Sequence, residues 1–342
     1  MPSPLLPVTV IGSWSFPGWY ERLISEISAS PSEFGPADRE EALRDAVRLA
    51  VDDQLRAGID RITDGEMQRV DFNLGFYDYL NGIVPLPQAR KLGVPAHDQR
   101  SKFRCVGPLS APDGLGTVAE YRRFQEISSA PSKMPVPGPF TLAGCISGGE
   151  VYRDRLAVTE ALIPIVNAEL KAAVAAGVDF LQLDEPSFAC HPDDPDYFLD
   201  VIARTVEGVD AYISMHMCFG NYRGRAVGWR SYRPLFPHVG RAKVHQLALE
   251  FASREMAEID ILRELPDTMD VAVGLVDVKN TWVEPASLVA DRLRMVLKHV
   301  DATRVSVTPD CGFSQTARYI AVGKAKAMAE GVRIVRSELG KS

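Results

Sequence analysis

The run Tyr212-Ile-Ser-Met-His216-Met-Cys218, continued by Phe-Gly-Asn221-Tyr, is a short β-rich segment with two metal-type side chains at its end. Side chains two apart on a strand point to the same face, so His216 and Cys218 project together. Seven further runs read as strands: Thr9–Gly12, Arg61–Thr63, Lys133–Pro137, Phe180–Leu183, Ala242–Leu249, Asp270–Val278 and Arg304–Thr308. Several are nearly continuous apolar runs, as expected of strands covered on both faces. Between most of them lie helical patterns. Glu40–Ala57 carries one apolar stripe through Leu43, Val47, Ala50 and Val51, spaced as one helix face requires. Ala157–Ala176, Ser253–Leu265, Pro285–His299 and Gln315–Leu339 read similarly. Strands alternating with helices indicate βαβ units and a parallel sheet. Eight such units in 342 residues predict an α/β fold, a single TIM (β/α)8 barrel forming one domain over 1–342. A loop-rich insertion, about 70–130, is expected after the second strand. A doubly wound sheet is the alternative.

Composition narrows the function classes. With 46% hydrophobic and 24% charged residues, the chain is neither disordered nor fibrous. The net charge of −7 and the absence of a Lys/Arg run argue against nucleic acid as a partner. No stretch approaches 18 consecutive apolar residues, so no membrane span is expected. The N-terminal MPSPLLPVTVIG has no basic region followed by a long apolar run, which predicts a cytoplasmic protein. Five scattered cysteines read as free thiols or metal ligands rather than a disulfide framework.

Chemistry-bearing residues gather at the predicted strand ends. One imidazole and one thiolate, His216 and Cys218, are half of a tetrahedral zinc site. Val305-Ser-Val-Thr-Pro-Asp310-Cys311-Gly312 ends the last strand with another thiol, and Glu250 ends the strand that holds His245. Barrel closure would bring these donors to one mouth, where barrel enzymes keep their active sites. Singly, each has a commoner origin: a small core cysteine, a satisfied histidine, a solvated acid. Glu66, in Asp64-Gly-Glu66, and Asp184, in Leu183-Asp184-Glu185-Pro186, mark further strand ends. Together with Glu250 they would suit a cationic group or a metal. Ser13 follows Ile11-Gly12 at another strand end. The stretch Gly144–Gly149 precedes a helix and could hold an anion. It lacks a Walker lysine pattern, and no nucleophile elbow is present.

The set IGSWSFP, DGEMQR, QLDEP, HMCFGNY, ALEFASRE and PDCGF, in this order from Val10 to Gly312, resembles the C-terminal catalytic barrel of cobalamin-independent methionine synthase. The resemblance implies a TIM barrel with a zinc ion that activates a thiol for alkylation. By motif it places the metal ligands on His216, Cys218, Glu250 and Cys311. It places the groups that hold homocysteine on Ser13, Glu66 and Asp184. It implies methyl transfer to homocysteine, with a small-molecule thiol and an alkyl donor as partners.

Three departures stand out. Cys190 replaces a family glutamate, Cys145-Ile146 replaces a Cys-Trp pair, and Val276-Asp277-Val278-Lys279 replaces Tyr-Asp-Ile-His. Asp277 and Lys279 are therefore the catalytic candidates of that segment. Without the tryptophan a pteridine loses its stacking surface, which turns the expected donor from methyltetrahydrofolate to a methylcorrinoid, free methylcobalamin or a corrinoid protein. Short relatives also include epoxyalkane:coenzyme M transferases. That chemistry would need cations for a sulfonate, with Arg223, Arg225 and Lys279 as candidates. A non-catalytic zinc- or thiol-binding paralogue is the third reading.

Overall fold

The computed structural model describes residues 4–29, 33–69, 74–87, 102–186, 188, 194–220 and 230–340. Its centre is a six-stranded parallel sheet. The strands are β3 (Met134–Pro137), β5 (Phe180–Asp184), β6 (Tyr212–Met217), β7 (Gln246–Leu249), β8 (Asp270–Val276) and β9 (Val305–Pro309), paired in that order. The register sets Asp184 beside His216, and His216 beside Ala248. A second, three-stranded sheet holds β1 (Asn81–Pro85), β2 (Phe103–Ser110) and β4 (Ile146–Ser147), in the order β1-β2-β4.

Two segments expected as strands are shorter than that. Thr9–Gly12 and Arg61–Thr63 make single parallel bridges rather than ladders: Val8 to Val307, Thr9 to Arg61 and Ile62 to Ser132. These bridges carry the pairing from β9, at one edge, back to the start of β3 at the other. Side-chain hydrogen bonds take over part of the work, as where Thr9 Oγ1 donates to the Arg61 carbonyl (2.9 Å) and Thr63 Oγ1 to the Gly12 carbonyl (2.6 Å).

The helices are α1 (Gly18–Ala29), α2 (Pro36–Ala57), α3 (Leu74–Tyr77), α4 (Thr117–Ile127), α5 (Pro139–Ala143), α6 (Arg155–Ala175), α7 (Pro195–Thr205), α8 (Ala286–Val296) and α9 (Arg318–Glu338). The long ones begin and end as their sequences require. Pro36 opens α2 with its missing N–H in the first turn, Asp38 accepts from the Gly35 N–H at 2.7 Å, and Gly58 ends it at φ 86°, a conformation open to glycine. Asp154 caps α6 by accepting from the Ala157 N–H at 2.8 Å. That helix start is filled by its own carboxylate, which removes the case for an anion at Gly144–Gly149. Among the described residues no helix is long and apolar enough to cross a membrane.

Two expectations need correction. Ala242–Leu249 is a strand only from Gln246, because Phe236–Ala242 forms a 3-10 helix and Lys243 turns the chain at φ 54°. Ser253–Leu265 is not an α-helix but two 3-10 turns, Ala252–Arg254 and Ile259–Glu264, separated by Glu255, Met256 and Glu258 at φ 53–63°. The cause is tertiary: the Asp310 carboxylate takes the N–H groups of Phe251, Ala252 and Ser253 at 3.0, 2.9 and 2.6 Å. Within the loop-rich stretch about 70–130 the described residues carry α3, β1, β2 and α4.

Nor are the strands apolar on both faces. Leu181, Leu183, Ile213, Met215, Leu247, Val271 and Val307 pack into the main core, each full burial contributing about 1.5–3 kcal/mol. The alternate positions Gln182, Asp184, Ser214, His216, Gln246 and Thr308 are polar and also buried. Between them lies a separate small cluster of Ile11, Ala248 and Ala272. The small alanines leave that face room for a polar network.

Candidate active site

Three donors converge at the ends of β6 and β9. His216 is the penultimate residue of strand β6, Cys218 comes directly after that strand and Cys311 follows β9, all buried. One ligand atom from each lies within 4.8 Å of the others, and the two sulfurs are 3.8 Å apart. His216 Nδ1 meets Asp184 Oδ1 at 3.0 Å, while its Nε2 is buried without a hydrogen-bond partner. A histidine so oriented by a carboxylate presents its other nitrogen as a lone-pair donor. The thiols share a hydrogen bond. That bond holds Cys311 down to about 6, against burial and with help from His216 and Lys279, while Cys218 is pushed up.

Glu250 stands next to this group without joining it. Its carboxylate accepts from the Phe219 N–H at 3.2 Å and, in a short contact, from Ser253 Oγ. Lys279 Nζ lies 2.7 Å from Glu250 Oε1, a charge contact whose angle falls outside hydrogen-bond geometry. Burial opposes the charge of Lys279, but Glu250, Asp310 and the two thiols outweigh it and hold the ammonium protonated. Asp277 forms the turn that delivers Lys279: its carboxylate accepts from the Lys279 N–H (2.7 Å) and Asn280 Nδ2 (2.5 Å).

Two acidic side chains, Asp184 and Glu66, lie beside the donors. Asp184 Oδ1 also accepts from Gln182 Nε2 at 2.8 Å, and its Oδ2 is buried without a partner. Lys133 Nζ donates to Gln182 Oε1 at 2.5 Å, so an unbroken chain runs from Lys133 through Gln182 and Asp184 to His216. Glu66 sits in a left-handed turn at φ 57°, its N–H on Asp64 Oδ1 at 2.8 Å. Its carboxyl is pushed up to about 8, chiefly by burial, with Arg69 pulling the other way. Arg69 reaches Glu66 at 3.2 Å and grips Glu120 of α4 at 2.6 Å, all three side chains buried.

Two glycines make this packing possible. A Cβ on Gly12 would meet Glu66 Oε1 at 2.2 Å, and one on Gly312 would meet Ser13 Oγ at 2.0 Å. Ser13 therefore lies directly against the residue after Cys311, and Glu66 against Gly12 beside it.

The structure thus brings together His216, Cys218 and Cys311 with Asp184, and sets Glu250, Lys279, Ser13 and Glu66 around them. Cys190, Arg223 and Arg225 lie outside the described residues. Ile146, at the Cys-Trp position, is buried and paired with Phe103. Arg69 and Gln182 had no sequence signal beyond lying in the quoted motifs, Lys133 none beyond opening an expected strand, and the Arg69 partner Glu120 had none at all. Asp310 had one, its place in PDCGF, but its capping of the Glu250 loop depends on contacts across 57–59 residues.

Residues 6–333 match the family model described as the cobalamin-independent synthase catalytic domain. Methionine synthases of Thermococcus kodakarensis and Pyrococcus furiosus are each 33% identical, over 100% of this chain and 96% of theirs. The B12-independent methionine synthase of Shewanella sp. W3-18-1, solved in complex with selenomethionine, superposes with a TM-score of 0.84 at 28% identity. The match covers 98% of this chain and 99% of that one. With the family model spanning nearly the whole chain, the protein belongs to the cobalamin-independent methionine synthase family.

Proposed function

We propose that this protein transfers a methyl group to the thiol of homocysteine, forming methionine, with a zinc ion held by His216, Cys218 and Cys311. The observation that carries this is the buried, unpartnered His216 Nε2 beside two thiols 3.8 Å apart. Two thiolates at about 2.3 Å in a tetrahedral zinc site stand about 3.8 Å apart. Zinc supplies the positive charge that takes the proton from a bound thiol, whose ordinary pKa is about 8.5, and keeps it nucleophilic. In the same reading the chain is one (β/α)8 barrel domain. The single bridges at Val8, Thr9 and Ile62 support closure over an open, doubly wound sheet.

The chain's own residues then have separate tasks. Asp184 Oδ1 keeps His216 in the tautomer with a free Nε2, and Gln182 and Lys133 hold Asp184 in place. Asp184 Oδ2 and Glu66 receive the ammonium of the amino acid, and Ser13 its carboxylate. Ile146 offers no ring for a pteridine, which favours a methylcorrinoid as donor. Lys279 is engaged by Glu250, which disfavours the sulfonate of coenzyme M. The zinc-loaded protein is tested with homocysteine and coenzyme M against methylcobalamin, methyltetrahydrofolate and an epoxide. Methionine from methylcobalamin is expected. A thioether from the epoxide, or no methionine from either methyl donor, overturns the proposal.

A proton count provides a second test. With its carboxyl at about 8, Glu66 is mostly neutral at pH 7. An ammonium beside it favours the charged form. Binding of methionine, which carries the ammonium but no thiol, should therefore release about one proton at pH 7. Calorimetry in two buffers of different ionisation enthalpy reads this directly, and Glu66→Gln should abolish it. A buffer-independent enthalpy with the native protein would rule out the ammonium contact.

A further inference from the structure

We propose that Tyr232 is a positioning residue for the metal site: its hydroxyl fastens together the two strand ends from which Cys218 and Glu250 emerge, and so sets the directions in which those side chains leave. This role rests on the metal site proposed above. Strands β6 and β7 run as a ladder up to the pair Met217 and Leu249. Past that pair the ladder ends, with Cys218 following one strand and Glu250 the other. The Tyr232 hydroxyl joins the two chains there. It donates to the Met217 carbonyl at 3.0 Å and accepts from the Glu250 N–H at 3.0 Å. The Met217 carbonyl belongs to the peptide unit that enters Cys218, and the Glu250 N–H to the unit that enters Glu250. Peptide units are planar, so one hydroxyl fixes two planes at once.

The ring reinforces the hydroxyl by packing. Tyr232 is fully buried against the residue that follows each of those positions. The Phe219 ring lies 4.5 Å away at 33°, and the Phe251 ring 6.0 Å away, edge-on at 61°. Phe219 stands between Cys218 and Gly220, and the Gly220 N–H donates to the Cys218 sulfur at 3.4 Å. Hydrogen bonds to a ligand sulfur and a fixed ligand orientation both tune a metal centre. Packing on Phe219 therefore steadies the turn that brings this donor to the thiol.

Tyr232 is itself held from a third direction. Glu258 accepts from the Tyr232 N–H at 3.2 Å and from Ser231 Oγ at 2.6 Å, and it pairs with Arg254 at 2.9 Å. The tyrosine thus comes from a segment 15 and 18 positions away from the two groups that its hydroxyl joins, and a carboxylate beyond β7 presents it to them. A buried hydroxyl needs hydrogen-bond partners. Both partners here are backbone groups of the strands that carry the site, which sets Tyr232 apart from a tyrosine that only fills a core.

The test uses the full chain and two readouts: zinc affinity by chelator competition and the visible spectrum of the cobalt(II) form. Tyr232→Phe keeps the ring and removes the hydroxyl. Zinc should then bind about 10- to 100-fold more weakly, the scale of losing a group that orients metal ligands. The cobalt bands should shift as the ligand directions relax. Tyr212→Phe is the control. Tyr212 opens the same strand at its other end, where its hydroxyl donates to Asp270 Oδ2 at 2.6 Å. Losing that hydroxyl should lower the Tm and leave zinc affinity native. Should Tyr232→Phe not fold, Glu258→Gln loosens the segment that presents the tyrosine, and zinc should bind more than about twofold more weakly. Zinc affinity within about twofold of native in the variant that folds, or an equal loss in Tyr212→Phe, overturns the positioning role while leaving the metal site standing. Native protein that holds no stoichiometric zinc overturns the metal site and the positioning role with it.

Discussion

Cys311→Ser is expected to strip the protein of stoichiometric zinc on dialysis and to abolish thiol alkylation at ordinary metal concentrations. Structural zinc sites bind with about 10–16 kcal/mol spread over four donors, so one thiolate is worth roughly 2.5–4 kcal/mol. That is a loss of about 60- to 700-fold in zinc affinity at 1.4 kcal/mol per factor of ten. A serine hydroxyl is a poor substitute, because zinc sites of this kind use the softer, ionised sulfur. The change should do little to the fold, since Cys311 sits past the end of β9 and its neighbour Asp310 still fastens the Glu250 loop. Elemental analysis after dialysis, with a chelator-competition titration, measures the effect. Full zinc content in Cys311→Ser would remove this residue from the ligand set.

Arg69→Met is the largest expected change in stability. The guanidinium is 1% exposed and makes two bonds to Glu120 Oε2 and one to Oε1, one to Glu66 at 3.2 Å and one to the Pro135 carbonyl at 2.7 Å. Its plane also lies over the Phe76 ring, 4.8 Å from the centroid. Methionine keeps much of the packing and removes every donor, leaving two carboxyls buried without their cation. Breaking one side of a buried pair costs about 3–5 kcal/mol. With an unfolding entropy of about 2 cal/mol/K per residue, that is a fall in Tm of roughly 4–7 °C. The double variant Arg69→Met with Glu120→Leu should recover most of the loss, because well-packed apolar groups can replace a buried pair. Homocysteine should also bind more weakly in Arg69→Met, since Glu66 loses the neighbour that favours its charged form. A loss under about 1 kcal/mol by thermal unfolding would mean that water reaches the stranded carboxyls.

The parts of this protein that the sequence made legible are local. A strand end announces itself by an apolar run followed by a polar residue and a turn, so His216, Cys218, Asp184, Glu250 and Cys311 could be found one motif at a time. Strand existence was legible for all six members of the main sheet. Boundaries were less so where long-range bonds set them, as at Ser253, whose expected helix is broken by the Asp310 carboxylate from 57 residues away. The strand Asn81–Pro85 and helix Thr117–Ile127 were not legible. Their residues are mostly polar or partly exposed, and each element is held by what it packs against rather than by its own periodicity.

Thus the sequence alone determined which chemical groups this protein carries, the order in which they end its strands, and the parallel α/β arrangement that collects them. Only the tertiary structure decided which group each one faces. Asp184 proves to be the partner of His216 and keeps its other oxygen buried without a partner, Glu250 is drawn to Lys279, and Glu120 from a stretch expected to be loop-rich anchors the arginine beside Glu66. The physical reason is that ionisation and ligation depend on distances of a few ångströms and on burial. Side chains 29 to 51 positions apart in the chain acquire those distances only when the sheet brings its strand ends together.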